Sequence, residues 1–104
     1  MAFDSFGQKT AGIGVAVAKQ GPHLVILDIY PDSPAALNGT IQPGDRLICV
    51  GQSNRPPVDV KGFSVEQVVR LLRGPKGTTV TVTVLGKDGS DSRAVSFVRD
   101  EFVK

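Results

Sequence analysis

The sequence predicts an α+β fold, mainly β, in which five short strands and two helices form a small, partly closed sheet capped by the helices. Three observations carry this expectation. Two apolar runs, Ile13 to Lys19 and His23 to Tyr30, flank the turn Gln20-Gly21-Pro22, as paired strands do. Ser64-Val65-Glu66-Gln67 has the capping-box pattern, and Val65, Val68, Val69 and Leu72 follow at i, i+3, i+4 and i+7, the spacing of one helix face. Val80, Val82 and Val84 alternate with threonines, the period of a half-buried strand.

The elements follow in order. The first ten residues are polar and read as loose, apart from Phe3 or Phe6 packing down. After the first two strands, Ser33 is a natural N-cap and Pro34 suits the first helical position, so Ala35-Ala36-Leu37 forms a short helix stopped by Asn38-Gly39. Ile41-Gln42-Pro43-Gly44-Asp45 turns the chain into a strand from Arg46 to Val50, with Asp45 and Arg46 holding the turn. Gly51 to Gly62 reads as a polar connection stiffened by Pro56-Pro57. The long helix ends before Gly74-Pro75, and Val68 and Leu71 belong to the core. A strand from Thr78 to Leu85, a hairpin turn at Gly86-Lys87-Asp88-Gly89 and a last strand from Arg93 to Arg99 complete the order.

Composition narrows the function. At 104 residues the chain makes one domain. Twelve basic against ten acidic side chains give +2, without a basic run interleaved with aromatics. That argues against nucleic-acid binding, as do five Phe, one Tyr and no Trp, too few for a base-stacking platform. The one cysteine, Cys49, lies in Leu47-Ile48-Cys49-Val50 and reads as a small buried hydrophobe without a disulfide partner. His23, the one histidine, reads as a solvated loop residue with neither metal nor nucleophile partners, so no metal or cofactor is expected. No segment approaches the stretch of about 18 apolar residues that spans a membrane, and Met1-Ala2-Phe3-Asp4 does not open a signal peptide.

Gly12-Ile13-Gly14-Val15 is the motif with chemistry. Two glycines around one apolar residue let a backbone come close to a ligand with its amides outward, a nest for one carboxylate. Alone, the pair reads more readily as an ordinary turn. A phosphate loop is disfavoured because an extended run, Val15-Ala16-Val17-Ala18, follows where such a loop needs a helix. With the downstream residues, the motif resembles the Gly-Leu-Gly-Phe carboxylate-binding loop of PDZ domains. Ser33-Pro34-Ala35, Gly39, Ile41 and Pro43-Gly44-Asp45-Arg46-Leu47 resemble that family's short helix and Gly-Asp turn, and Ser64 to Leu72 followed by Thr79-Val80-Thr81-Val82 resembles its long helix and next strand.

The likeness covers Gly12 to Val84 and implies a PDZ-like, partly open barrel or sandwich of five to six strands with one short and one long helix. Residues 1–11 are then a flexible leader, 12–100 the domain and 101–104 a tail. The usual first strand is missing, because Lys9-Thr10-Ala11 is short and polar, and the last strand takes its place. That arrangement is similar to the circularly permuted PDZ domains of bacterial proteases. Leu72 to Thr78 and Pro57 to Phe63 resemble segments of the carboxy-terminal processing and tail-specific branch.

The resemblance implies a module that captures protein C-termini by β-strand addition for a Ser-Lys protease domain elsewhere in the parent chain, in the periplasm or cell envelope. No catalytic residue is expected among these 104. The alternative is a stand-alone adaptor binding partner C-termini. Gly12, Ile13, Gly14 and Val15 would hold the carboxylate, through the amides of the last three. Ala16, Val17, Val65, Val69 and Leu72 would line the groove, with Ile13 and Val15 also walling the terminal pocket. An apolar end residue fits such aliphatic walls, and Val65 favours an apolar residue two positions earlier. Arg73 and Lys76 read as solvated, with a lesser role in attracting an acidic tail. Pro56-Pro57, Gly7 and Asp100 are candidate hinges.

Overall fold

The computed structural model describes residues 2–3, 9–53, 55–86, 89 and 91–100. Ten elements follow one another: β1 (Ala2–Phe3), β2 (Lys9–Thr10), β3 (Val15–Gln20), β4 (His23–Ile29), α1 (Pro34–Asn38), β5 (Arg46–Gln52), β6 (Val58–Asp59), α2 (Val65–Leu72), β7 (Thr79–Leu85) and β8 (Ser92–Val98). Five strands run in the order β3-β4-β5-β7-β8, and β6 adds to β5 as a sixth. Every pairing is antiparallel. The expected mainly-β architecture with one short and one long helix is the observed one.

The core follows from side-chain period. On β7 the three valines Val80, Val82 and Val84 point inward and are fully buried, while the threonines between them are half-exposed. They meet Leu47 and Val50 of β5, Phe97 of β8 and Val68 of α2. On α2, Val68 and Leu72 belong to this core and Val65 packs against it, while Val69 of the same stripe lies outside the cluster.

Local chemistry ends the helices where the sequence says. Ser33 Oγ accepts from the Ala36 amide (3.2 Å) and donates to the Tyr30 carbonyl (2.7 Å), while Gly39, at φ 72°, closes α1 in the left-handed region. Ser64 and Gln67 form both bonds of the capping box. Asp45 holds its turn by accepting from the Gln42 amide (2.9 Å), and Arg93 of β8 joins it at 3.0 Å.

The structure corrects several expectations. Gly51 to Gly62 is not wholly a connection, because β6 pairs Cys49 with Asp59 and Val50 with Val58, and Val60 is fully buried. The prolines masked that strand: Pro cannot donate to a ladder, but here Pro56-Pro57 only precede it. Leu27 lies in the aliphatic run of β4, yet it is 58% exposed. A bulge explains this, since Ala16 pairs Asp28 and Val17 pairs Ile26, leaving Leu27 without an opposite number. Lys9–Thr10 is a strand after all, but it pairs Ala2–Phe3 outside the main sheet. Ala11, assigned to the loose leader, is buried and exchanges hydrogen bonds with Gly74 (3.0 and 3.1 Å). Asp100 is likewise tied to Gly12 by two bonds of 3.2 Å, unlike a free hinge. Phe6, Gly7, Lys87, Asp88, the tail 101–104 and the side chain of Phe3 lie outside the described residues.

Candidate peptide-binding groove

The glycine turn is anchored by its carbonyls. Gly12 O accepts from Asp100 (3.2 Å), Ile13 O from Ala35 in α1 (2.8 Å) and Gly14 O from Tyr30 at the end of β4 (2.8 Å). The described peptide bonds are trans, so the N–H of each next residue points opposite to the carbonyl of its unit. The amides of Ile13, Gly14 and Val15 therefore turn away from the three groups that hold the turn. Gly14 sits at φ 87°, which only glycine adopts without strain. A Cβ on Gly12 would meet nothing within 4 Å, so nothing among the described residues crowds a side chain there.

Beyond the turn, β3 is an end strand of the sheet, bonded to β4 alone among the described residues. Helix α2 packs beside it. Between them is a cavity of about 230 Å³ lined by residues 12–17, Tyr30, Val69, Leu72 and Arg73. The carbonyl-anchored turn closes one end of the cavity, and the open strand edge runs along its side.

This cavity gathers Gly12, Ile13, Gly14, Val15, Ala16, Val17, Val69 and Leu72. Val65 is apart: it is half-buried against the core at the start of α2 and does not line the cavity. Ile13 is 1% exposed and belongs to the core, so its contribution to the cavity floor is backbone rather than an aliphatic wall. Leu72 serves two purposes, lining the cavity and closing the core at 5% exposure. Val15, Ala16, Val17 and Val69 are half-buried. A larger depression, about 470 Å³, lies between α1 and the end of β8, bordered by Lys76 and Asp100, which pair at 3.6 Å.

Sequence reasoning missed Arg99. This residue is 3% exposed, and its guanidinium donates to Leu72 O (2.9 Å), Leu71 O (3.0 Å), Thr78 Oγ1 (2.9 Å) and Gln52 Oε1 (2.7 Å). It closes the C-terminal end of α2. Burial lowers its pKa from the ordinary value, and none of these four partners carries a charge. A signal was present, because Arg99 continues the inward phase of Val95 and Phe97 along β8. Gln52 also donates to Leu71 O (2.9 Å).

Other candidates are quiet. Cys49 is half-buried, and burial, then Asp59 across the β5–β6 ladder, push its thiol pKa up, away from reactivity. His23 is exposed at the start of β4. Among the described residues no cluster of three or more His, Cys, Asp or Glu is placed to hold a metal, and no helix is long and apolar enough to cross a membrane.

The fold and the groove have counterparts among known proteins. The PDZ domain family matches residues 3–85, most of the chain. The chain is a PDZ domain. A solved PDZ domain of the carboxy-terminal protease from Vibrio cholerae, in complex with a peptide, superimposes on it with a TM-score of 0.82 and 36% identity, over 88% of this chain and 96% of that one. The tail-specific protease of Haemophilus influenzae is 32% identical over 94% of this PDZ domain and 14% of its own length. The carboxy-terminal processing protease CtpA of Bacillus subtilis is 35% identical over 86% of the domain and 18% of its own length. This PDZ domain is thus homologous to those of tail-specific and C-terminal processing proteases, and it spans less than a fifth of those two curated relatives.

Proposed function

We propose that this PDZ domain captures the apolar C-terminal end of a protein substrate by β-strand addition, and does so for a serine protease domain of the same parent chain. The observation that carries the reading is the conjunction at β3: a strand edge left unpaired among the described residues, a helix beside it, and a glycine turn whose three carbonyls are already engaged by the body of the domain. An incoming peptide adds a strand to that edge, so its main chain supplies part of the affinity. Its terminal carboxylate takes the amides of Ile13, Gly14 and Val15, each charge-assisted bond being worth about 1.5–3 kcal/mol. Its last side chain enters the aliphatic cavity at Val15, Val17, Val69 and Leu72. After the costs of association, micromolar affinity, about −8 kcal/mol, is the expected scale.

The protease assignment is supported by the relatives, whose names are those of serine and C-terminal processing proteases. It places the nucleophile and its base outside these residues, with the periplasm or cell envelope as the setting. A flanking Ser-Lys protease domain in the parent chain separates this reading from a stand-alone adaptor.

The test is a titration with paired peptides of one apolar sequence, one ending in a free carboxylate and the other amidated. The free acid binds more tightly; equal affinities would end the carboxylate reading. Val69→Asp is the cleaner groove variant, because Leu72 also closes the core. It is expected to abolish peptide binding while leaving the unfolding free energy from urea titration within about 1 kcal/mol of wild type, as at other half-exposed sites.

A further inference from the structure

We infer that the edge of β8 beside α1 is a second strand-addition groove, and that its occupant is an extended segment of the parent chain, from outside these 104 residues, carrying a bulky apolar side chain. This rests on the reading of the domain as one part of a longer chain and adds a surface apart from the peptide groove. The molecule holds the same arrangement twice. β8 is the other end strand of the sheet, bonded to β7 alone among the described residues, and α1 lies beside it as α2 lies beside β3. Arg99 spends its backbone on the β7 side, donating to Thr78 O (2.8 Å) and accepting from the Gly77 amide (2.9 Å). By the antiparallel alternation, Ala94, Ser96 and Val98 then turn their amides and carbonyls outward. Between this edge and α1 is the cavity of about 470 Å³, where Leu37 and Val98 are 78% and 56% exposed.

The edge is unguarded. Proteins keep an exposed strand edge from pairing with Lys, with Pro or with a bulge. From Ser92 to Val98 the strand has neither Lys nor Pro and keeps an unbroken register, and its one charge, Arg93, is taken up by Asp45 and Asp91. Two observations choose the occupant. The domain covers only 14% and 18% of the length of its Haemophilus and Bacillus relatives, so most of such a chain lies outside it. Asp100 lines this cavity, and its N–H and carbonyl are both bonded to Gly12 at 3.2 Å. The chain on either side of residues 12–100 therefore leaves at this end of the groove, and Gly12 already continues the pairing along the β8 edge. A segment tethered there docks as an intramolecular event at high effective concentration.

The experiment measures amide hydrogen exchange by mass spectrometry in the full-length parent protein and in this 104-residue chain. The outward amides of Ala94, Ser96 and Val98 are expected to exchange freely in this chain and to be protected in the parent. Added free-acid peptide protects β3 and leaves β8 unchanged. Val98→Lys and Leu37→Lys, at sites already exposed, return the β8 amides of the parent to the rate seen in this chain, while urea unfolding of this chain stays as in wild type. Equal exchange of β8 in the two proteins overturns the inference, as does protection in the parent that both substitutions leave intact. Protection in this chain that grows with its concentration also overturns it, because the occupant is then a second copy. Each of these results leaves the peptide-end reading standing, whose own test is the acid and amide pair. A parent without a Ser-Lys domain removes the protease reading, while a protected β8 edge still upholds this one.

Discussion

The two ends of α2 are held by opposite means. At the N-terminal end, Ser64 Oγ accepts from the Gln67 amide (3.2 Å) and Gln67 Oε1 accepts from the Ser64 amide (2.8 Å), so two residues three apart satisfy each other. At the C-terminal end nothing local suffices. Arg73, the C-cap, is extended (φ −83°, ψ 155°) and not left-handed, which forgoes the glycine closure that α1 obtains from Gly39. Leu71 and Leu72 instead give their carbonyls to Arg99, 28 and 27 residues later in the chain. One end is a property of a short stretch of sequence. The other exists only once β8 has returned across the sheet, and it is the end that borders the binding cavity.

That contrast can be broken at four places. Arg99→Met has the largest expected effect, about 2–3 kcal/mol in urea unfolding, because buried carbonyls of α2 lose a charged donor. A loss below about 1 kcal/mol would mean that water caps the helix end as well as the guanidinium does. Gly74→Ala comes next, at about 1–2 kcal/mol: its Cβ would lie 2.9 Å from Cζ and Nε of Arg99 and force the guanidinium from its partners. Peptide affinity should fall with it, as Gly74 is one residue from the cavity wall. Unchanged stability would show that the side chain shifts without losing its bonds.

Ser64→Ala is expected to cost about 1 kcal/mol, yet to leave peptide affinity unaltered, because it loosens the end of α2 away from the glycine turn. Equal losses of affinity in Ser64→Ala and Gly74→Ala would erase the distinction between the two ends. The smallest effect is a control distant in the sheet. The raised thiol pKa of Cys49 means that its contribution to stability is fully present below the ordinary thiol value of 9.0 and is lost as pH rises through the folded value. Cys49→Ala should remove that alkaline decline, measured as urea midpoints across the range, without touching either helix end.

The same division runs through the whole domain. Helix starts, the Gly39 stop, the valine phase of β7 and the hairpin order were legible because each depends on neighbours within a few residues. The candidate groove was legible in part. Gly12 to Val17, Val69 and Leu72 do come together, but Val65 stands apart and Ile13 turns its side chain into the core. Helical spacing identifies a face, not how far along that face a cavity extends. The β4 bulge that releases Leu27 and the short β6 behind Pro56-Pro57 escaped notice because strand register is settled by the partner strand.

What the amino-acid order determined unaided was the succession of the two helices and the five longer strands, with the turn chemistry between them, since hydrogen bonds and backbone preferences of short range act before any packing. What only the tertiary structure decided was which polar groups would be closed by distant partners: the carbonyls of the glycine turn by Asp100, Ala35 and Tyr30, and the end of α2 by Arg99. Buried polar groups must find partners wherever the chain brings one near, and that choice is made in space.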